Sequence, residues 1–572
     1  MNIALFLEMA ADAAPDRIGL VCDGQRWSYA RLLAGARGAA ALIRDSGCSH
    51  VALLDESSEA AAMALFGAAI AGVPYVPLNY RLADADLGAL LARITPALIV
   101  GDVARVERLC PSADNKVLAR ADFVAAALDA AADAPAEADE GDGVAIQLFT
   151  SGTTAAPKAA ILRHANLVSY ILGTVEFGAA PEEDAALVSV PPYHIAGIAA
   201  LLSSIYALRR ILLLPAFDPA AWLDLAAGER ASNAFVVPTM LSRIIETVDK
   251  GVRPDLGNLR AVAYGGGKMP LELIQRALDL FPDTGFTNAY GLTETSSTVA
   301  LLGPDEHRAA HVATDPAARA RLASVGRPLP TVEIEIRDED GRCLPAGEPG
   351  EIYVRGDQVS GEYRERSALD ADGWFPTRDA GYIDAEGYLF LSGRADDVIV
   401  RGARVTDAPA IADIYAHHVV NGTASFDTVP RTLEQTEQKI ADILAHGWPF
   451  LVAEREGVIL GYAYATAFRD RPAYGFTCEN SIYVGAQHVG QGVGVALMRR
   501  LLDEAHACGF RQMIAVIGGG EPASVALHTK MGFTFAGRMR SVGRKFGRWL
   551  DSVYMQAELG EGDRTAPARE PG

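Results

Sequence analysis

"LFTSGTTAAPKAAI" (148–161) decides how the longer part of this chain folds. Its apolar opening reads as a strand, its small hydroxyl residues as a turn, and its end as the approach to a helix beginning near Asn166. A turn that joins a strand to a helix leaves backbone N–H groups unpaired. With Thr150, Ser151, Gly152, Thr153 and Thr154 around them, those groups can surround phosphate oxygens. Lys158 adds a mobile positive charge. Taken alone, the stretch also fits an ordinary polar turn.

Working outward, short Val/Ile/Leu runs alternate with Ala-rich helical stretches over the first 400 residues, the pattern of an α/β protein. "GVAIQLFT" leads into a helix, and "ASNAFVVP" precedes the helical "TMLSRIIETV". At 572 residues the chain needs several cores, and its net charge of −21 argues against nucleic acid or anionic membranes as partners. The six cysteines are scattered, without a zinc or disulfide spacing, which fits reduced cytoplasmic thiols. The N-terminus has no basic n-region, so no signal peptide is expected. "AAAMALFGAAIAGVPYVPL" (60–78) is long enough to suggest a membrane span. Gly72 and Pro74 interrupt it, however, and a buried helix followed by a buried strand is expected. The later part of "AAALDAAADAPAEADEGDG" (125–143) reads as a surface connector.

Further motifs follow the first in order: "PYVPLNYRL" (74–82), "VPPYHIAG" (190–197), "AYGGGKMP" (263–270), "NAYGLTETSS" (288–297) and "GWFPTRDAGYIDAEGYLFLSGRADDVI" (373–399). Together they resemble the adenylate-forming superfamily of acyl-CoA synthetases, peptide-synthetase adenylation domains and luciferases, over about residues 1–402. The resemblance implies ATP and Mg²⁺. Gly267 and Tyr290 would frame the adenine, Thr293 would touch the α-phosphate and Glu294 would hold the metal. Asp379 and Arg394 would take the ribose, His194 would sit near the acyl pocket, and Lys158 and Glu294 would carry catalysis. Ala155 and Ala159 stand where the family loop has glycine, and Arg378 stands where a glycine precedes Asp379. An alanine at a position needing φ > 0 costs on the order of 1 kcal/mol.

From about Arg404 the texture changes. A helix is followed by "PFLVAEREGVILGYAYATAF", which reads as a hairpin, then the strand "CENSIYV" and the Gly-rich "HVGQGVGVAL" (488–497). In the helix after it, Val493, Leu497, Leu501 and Leu502 share a face. Gly490, Gly492 and Gly494, just after Val484, would leave free N–H groups for a pyrophosphate. "NGTASFDTVPRT", "RDRPAYGFTCENSIYV", "AVIGGGEPASVALHTKMGF" and "SVGRKFGRWLDSVYMQ" resemble the phosphinothricin and methionine-sulfoximine branch of the GNAT N-acetyltransferases, over about 404–558. The resemblance implies acetyl-CoA or another acyl-CoA, Glu479 as general base, and His528 as a second acid/base or substrate contact. Phe426 would line the substrate site, with Arg469 and Arg471 as carboxylate clamps. Val489 replaces the usual Arg or Gln of the turn. "MRSVGRKFGRW" carries Arg540, Arg544, Lys545 and Arg548; inside this pattern it reads as a CoA-phosphate or substrate contact, or as surface charge.

The resulting expectation is an α/β chain in three parts. Residues 1–402 form a multi-subdomain adenylate-forming fold without its small C-terminal domain, 403–558 form a mixed-sheet GNAT fold, and 559–572 form a disordered tail. The hinge residue Asp396 is kept, but the lysine-bearing domain beyond it is replaced. Two functions follow from the resemblances. One is a bifunctional enzyme that activates a carboxylic acid and transfers the acyl group to an amine. The other is an N-acetyltransferase carrying a weak AMP-binding module. The expected partners are small molecules, with no nucleic acid, no membrane span, and a homodimer through the GNAT half in a cytoplasmic enzyme.

Overall fold

The computed structural model describes residues 1–131, 143–150, 157–252, 254–338, 340–394, 398–455 and 457–566. Ser151, Gly152, Thr153, Thr154, Ala155, Asp396, the later part of the connector and the last six residues of the tail lie outside them. The chain divides into two compact units. The first holds Met1–Glu335, Ile352–Thr377 and Tyr382–Leu391; the second holds Ile336–Glu351, Arg378–Gly381 and the chain from Ser392 onward. A four-stranded sheet is formed by Glu333–Arg337, Gly350–Arg355, Phe375–Ile383 and Leu389–Arg394.

Two large sheets build the first unit, one of nine strands and one of eight. His50–Leu54 lies parallel to Tyr75–Pro77 on one side and Ala97–Gly101 on the other. Strands covered on both faces need apolar residues at every position, which is why "VALL" and "ALIVG" do not alternate. The helix Glu59–Ala71 is buried at ten of its thirteen residues, so it too lacks a polar face; it ends at Gly72, and Tyr75 starts the next strand. Among the described residues no helix is long and apolar enough to cross a membrane.

One local expectation is corrected. Lys158–Arg163 is a strand, antiparallel to Val144–Thr150 with Thr150 opposite Lys158, and the helix follows it at His164, near the expected Asn166. The phosphate-loop motif therefore joins two strands of a hairpin rather than a strand and a helix. Four consecutive buried residues, Ala159–Leu162, favour the sheet interior over a helix end that would expose one side.

In the second unit we number the strands β1 (Ile399–Gly402), β2 (Phe450–Arg455), β3 (Val458–Ala467), β4 (Thr477–Val484), β5 (Gln512–Gly518), β6 (Thr534–Lys545) and β7 (Arg548–Glu558). The helices are α1 (Ala408–Asn421), α2 (Leu433–Ala445), α3 (Val493–Ala507) and α4 (Pro522–Lys530). The sheet order is β1-β2-β3-β4-β5-β7-β6. β2 and β3 form the expected hairpin, and Val493, Leu497 and Leu501 of α3 are buried as expected. β1, read in sequence as the end of the first domain, is hydrogen-bonded in this sheet, with Val400 opposite Ala453 and Gly402 opposite Leu451. At the other end Leu559 is buried in the same core.

Side chains alternate across the pleat. Glu479, Ser481 and Tyr483 of β4 thus share a face with Tyr462 and Tyr464 of β3, packed under α1 and α2. Asn480 faces the other side, towards α3 and α4, where it meets Met498 and His528.

Candidate functional sites

The first unit brings together Lys158, Tyr363 and Glu294. Glu294 sits in a single 3-10 turn, Thr293–Thr295, after the strand Gly285–Leu292, and is buried. Its backbone carbonyl accepts from the N–H groups of Ser360 and Gly361. Its Oε1 accepts a 2.7 Å hydrogen bond from the Tyr363 hydroxyl. Lys158 Nζ stands 5.5 Å from the centre of the Tyr363 ring. Tyr363 reaches both because Glu362–Tyr363 pairs with Lys158–Arg163, placing Tyr363 opposite Ala160. Sequence reasoning missed Tyr363, since a two-residue strand has no periodicity to read.

Tyr290 is buried near the end of its strand; Gly267 is exposed just past Ala261–Gly265, the neighbouring parallel strand. His194 is the exposed N-cap of Ile195–Tyr206, its ring 4.7 Å from that of Tyr193. Asp379 belongs to the second unit and is buried there; Arg394 ends the strand Leu389–Arg394. Arg378 holds φ = 66°, the left-handed conformation that suits the glycine it replaces.

Among the described residues no group of three or more His, Cys, Asp or Glu could form a metal site. Glu294 alone still fits Mg²⁺, which commonly takes one or two carboxylates plus substrate phosphates. Its Oε2 has no protein hydrogen-bond partner among the described residues.

The second site follows from how β4 and β5 part. They pair in parallel only from Thr477 to Asn480 and from Gln512 to Ala515, although both strands run on. Beyond that point a cleft of about 210 Å³ opens, lined by Glu479 to Tyr483, Ala515 to Gly518, Phe426 and His528. Glu479 is held above the ordinary carboxylate range by burial, partly opposed by the positive charge of Lys439. Lys439 lies on α2, its Nζ 4.7 Å from the Tyr464 ring centre.

His528 is buried with both ring nitrogens engaged. Nδ1 donates to the Ser524 carbonyl at 2.7 Å, and Nε2 lies 3.2 Å from the Asn480 amide. Burial also lowers its pKa, the Ser524 carbonyl opposing. Phe426 is partly exposed and packs against two glycines: a Cβ at Gly543 would come within 2.5 Å of its ring. Lys545 fixes the loop that carries it, with Nζ donating to the carbonyls of Gly422 (3.0 Å) and Ser425 (2.8 Å). That accounts for a basic residue which the sequence left between ligand contact and surface charge.

Val484 ends β4, its carbonyl accepting from His418 Nε2. Gly490 and Gly492 both hold φ = 77°; Gly492 is the N-cap of α3 and Gly494 lies in its first turn. Gln491, between them, is buried; it donates to the Gln487 carbonyl and accepts from Arg455, which also donates to the Ser392 carbonyl. Neither Arg455 nor Gln491 was singled out in the sequence. Arg469 and Arg471 are exposed and do not line the cleft; Arg469 stacks over Phe468 instead.

A ligase-type pair of sheets followed by a sheet with two splayed parallel strands defines two enzyme classes on one chain. The chain belongs to the AMP-binding enzyme family, matched over residues 7–364, and its C-terminal part to the acetyltransferase (GNAT) domain family, matched over 400–554. It is 50% identical to phosphinothricin N-acetyltransferase of Alcaligenes faecalis over 169 residues, 29% of this chain and 86% of that one. It is 31% identical to feruloyl-CoA synthase of an Amycolatopsis species over 402 residues, 69% of this chain and 78% of that one. Among solved structures, the N-terminal domain of FACL13 from Mycobacterium tuberculosis is similar at TM-score 0.60 and 26% identity, covering 69% of this chain and 99% of that one. The protein is thus an enzyme that fuses an acyl-CoA synthetase-like domain to a GNAT acetyltransferase domain. These families imply use of ATP, CoA and acyl-CoA, with small molecules as substrates.

Proposed function

We propose that the chain activates a carboxylic acid with ATP and transfers an acyl group from CoA to an amine, giving an amide. The observation that carries the first half is the Lys158–Tyr363–Glu294 cluster, in which a cation and a buried carboxylate flank one phenol. An acid oxygen attacks the α-phosphorus of ATP, the bond to pyrophosphate breaks, and acyl-adenylate forms. Lys158 offsets charge on the departing pyrophosphate, and Mg²⁺, when bound at Glu294, adds to that effect. Thr293, Tyr290, Gly267, Asp379 and Arg394 serve the nucleotide and His194 the acid.

In the second half, α3 opens beside the left-handed Gly492, and its free N–H groups suit the pyrophosphate of acyl-CoA. The thioester lies in the gap between β4 and β5. Glu479 takes the proton of the attacking amine, the amine nitrogen bonds to the carbonyl carbon, the C–S bond breaks, and the CoA thiolate leaves to be protonated from Glu479 or solvent. His528 acts by holding Asn480. The acetyltransferase module starts at Ile399, and the enzyme is a cytoplasmic homodimer through that module.

A specific observation favours a second reading, an acetyltransferase with a weak nucleotide-binding module. Lys545, the lysine nearest the C-terminus, is tied to two loop carbonyls and stands in the acetyltransferase's own motif. The small domain's lysine therefore has no counterpart there. Pyrophosphate release across a panel of carboxylic acids, with mass spectrometry for amides, separates the two readings. Normal acetyl transfer with no pyrophosphate from any acid would sink the bifunctional one.

A further inference from the structure

The turn between β4 and α3 has Val489 where the family pattern has Arg or Gln, so another group holds its shape. Its N–H groups form a concave donor set only while Gly490 and Gly492 keep their left-handed backbone. Gln491 stands between them and is only 5% exposed. Its Nε2 donates to the Gln487 carbonyl at 2.8 Å, closing the turn on itself, and its Oε1 accepts from Arg455 Nη1 at 3.2 Å. The same Nη1 donates to the Ser392 carbonyl at 2.9 Å. One nitrogen at the end of β2 thus bridges the turn and Ser392. His488, which opens the turn, is held below the ordinary imidazole range by burial and then by the charge of Arg455.

Ser392 belongs to the strand Leu389–Arg394, which the motifs assign to the ligase, yet it lies in the second unit with Arg455 and Gln491. Its neighbour Gly393 makes the bridge possible: it holds φ = 124°, and a Cβ there would stand 2.7 Å from Arg455 Nη1. Another ligase segment of the same unit reaches the turn directly, since a Cβ at Gly490 would stand 3.1 Å from the Pro349 carbonyl. Both Pro349 and Ser392 precede the acetyltransferase family match, which opens at residue 400.

We propose that Arg455 is a positioning residue for acyl-CoA: through Gln491 it fixes the pyrophosphate turn, and the closing strand of the ligase fixes Arg455. The inference rests on the acyl-CoA site placed at this turn above and names what holds it. A change in the ligase strand beside Ser392 then alters the hold of the acetyltransferase on its coenzyme.

The test is the dissociation constant of acetyl-CoA on the full chain, measured by calorimetry, with circular dichroism to establish that each variant folds. Arg455→Met, Gln491→Met and Gly393→Ala should each raise it about three- to tenfold, the scale of one or two hydrogen bonds. Either of the last two, added to Arg455→Met, should cost less than about twofold more, because all three break one bridge. Acetyl-pantetheine, which carries the thioester but no pyrophosphate, should bind every variant as it binds wild type. An equal loss for both probes would mean general damage to the fold and overturn the proposal. Additive losses would put Arg455 on the phosphates themselves and overturn its route through Gln491. Unchanged binding in Arg455→Met and Gln491→Met removes the bridge, and a harmless Gly393→Ala removes the part played by the ligase strand. Gly492→Glu checks the site itself: if acetyl-CoA still binds it as tightly, the turn is not the coenzyme site, and the earlier reading falls together with this one.

Discussion

Glu479 shows how much one residue's surroundings decide. Burial favours its neutral form, whereas a general base must be ionised, so activity falls as pH drops through a pKa raised above the ordinary carboxylate value. Lys439 opposes that shift, so Lys439→Met should move the acid limb of kcat/KM for acetyl transfer to higher pH; an unmoved or lowered limb would remove Lys439 from the site. Glu479→Gln should lower kcat roughly 10²-fold or more, within the range for loss of a general base. At Arg378, relief of a left-handed backbone is worth about 1–2 kcal/mol, against about 0.5–1 kcal/mol of extra chain entropy for glycine. Arg378→Gly should therefore raise unfolding stability by about 0.5–1 kcal/mol in a denaturant titration. Glu479 and Glu294 were legible because each lies in a motif with fixed neighbours. Lys439 was not, because its position on α2 matters only once α2 covers the Glu479 face of the sheet. The sequence offered Arg469 and Arg471 evenly as carboxylate clamps or as a solvated loop, and the fold leaves them on the surface, since a guanidinium's chemistry says nothing of where its loop goes.

The loop and strand elements carry the next level of argument. Lys545→Met should free the Gly422 and Ser425 carbonyls and loosen the loop of Phe426, costing about 1–3 kcal/mol of stability. The KM for the amine should rise more than kcat falls; the opposite pattern would give Lys545 a role in chemistry rather than in holding the loop. Strand β1 offers a second check. An acetyltransferase fragment beginning at Ile399 should unfold cooperatively, while one beginning at Ala403 loses the edge strand of its sheet and should melt several degrees lower. Equal melting would return β1 to the preceding domain. The hairpin β2–β3, the buried helix Glu59–Ala71 and the face of α3 were readable from periodicity. Lys158–Arg163 was misread as the approach to a helix because "KAAILR" is too short to show any period, and only pairing with Val144–Thr150 decides it.

For the molecule as a whole, the two chemistries should separate cleanly by mutation. Lys158→Ala is expected to abolish pyrophosphate release and spare acetyl transfer, with Glu479→Gln doing the reverse. Loss of both activities in either variant would mean that one site works through the other. The fusion itself was legible because each half carries an ordered run of its own motifs. The seam was not, because "VIVRG" reads equally well as the end of a ligase hinge or as an edge strand, and only the register with β2 assigns it. That shared strand bears on how such proteins are assembled and exchanged. Residues 399–402 follow the ligase's motifs along the chain while serving the architecture of the acetyltransferase, whose family match opens at residue 400. Recombination that respected the apparent motif boundary would hand the donor a surplus strand and leave the recipient a raw sheet edge. A cut upstream of the strand would move the acetyltransferase whole, so natural breakpoints and engineered swaps alike should cluster there.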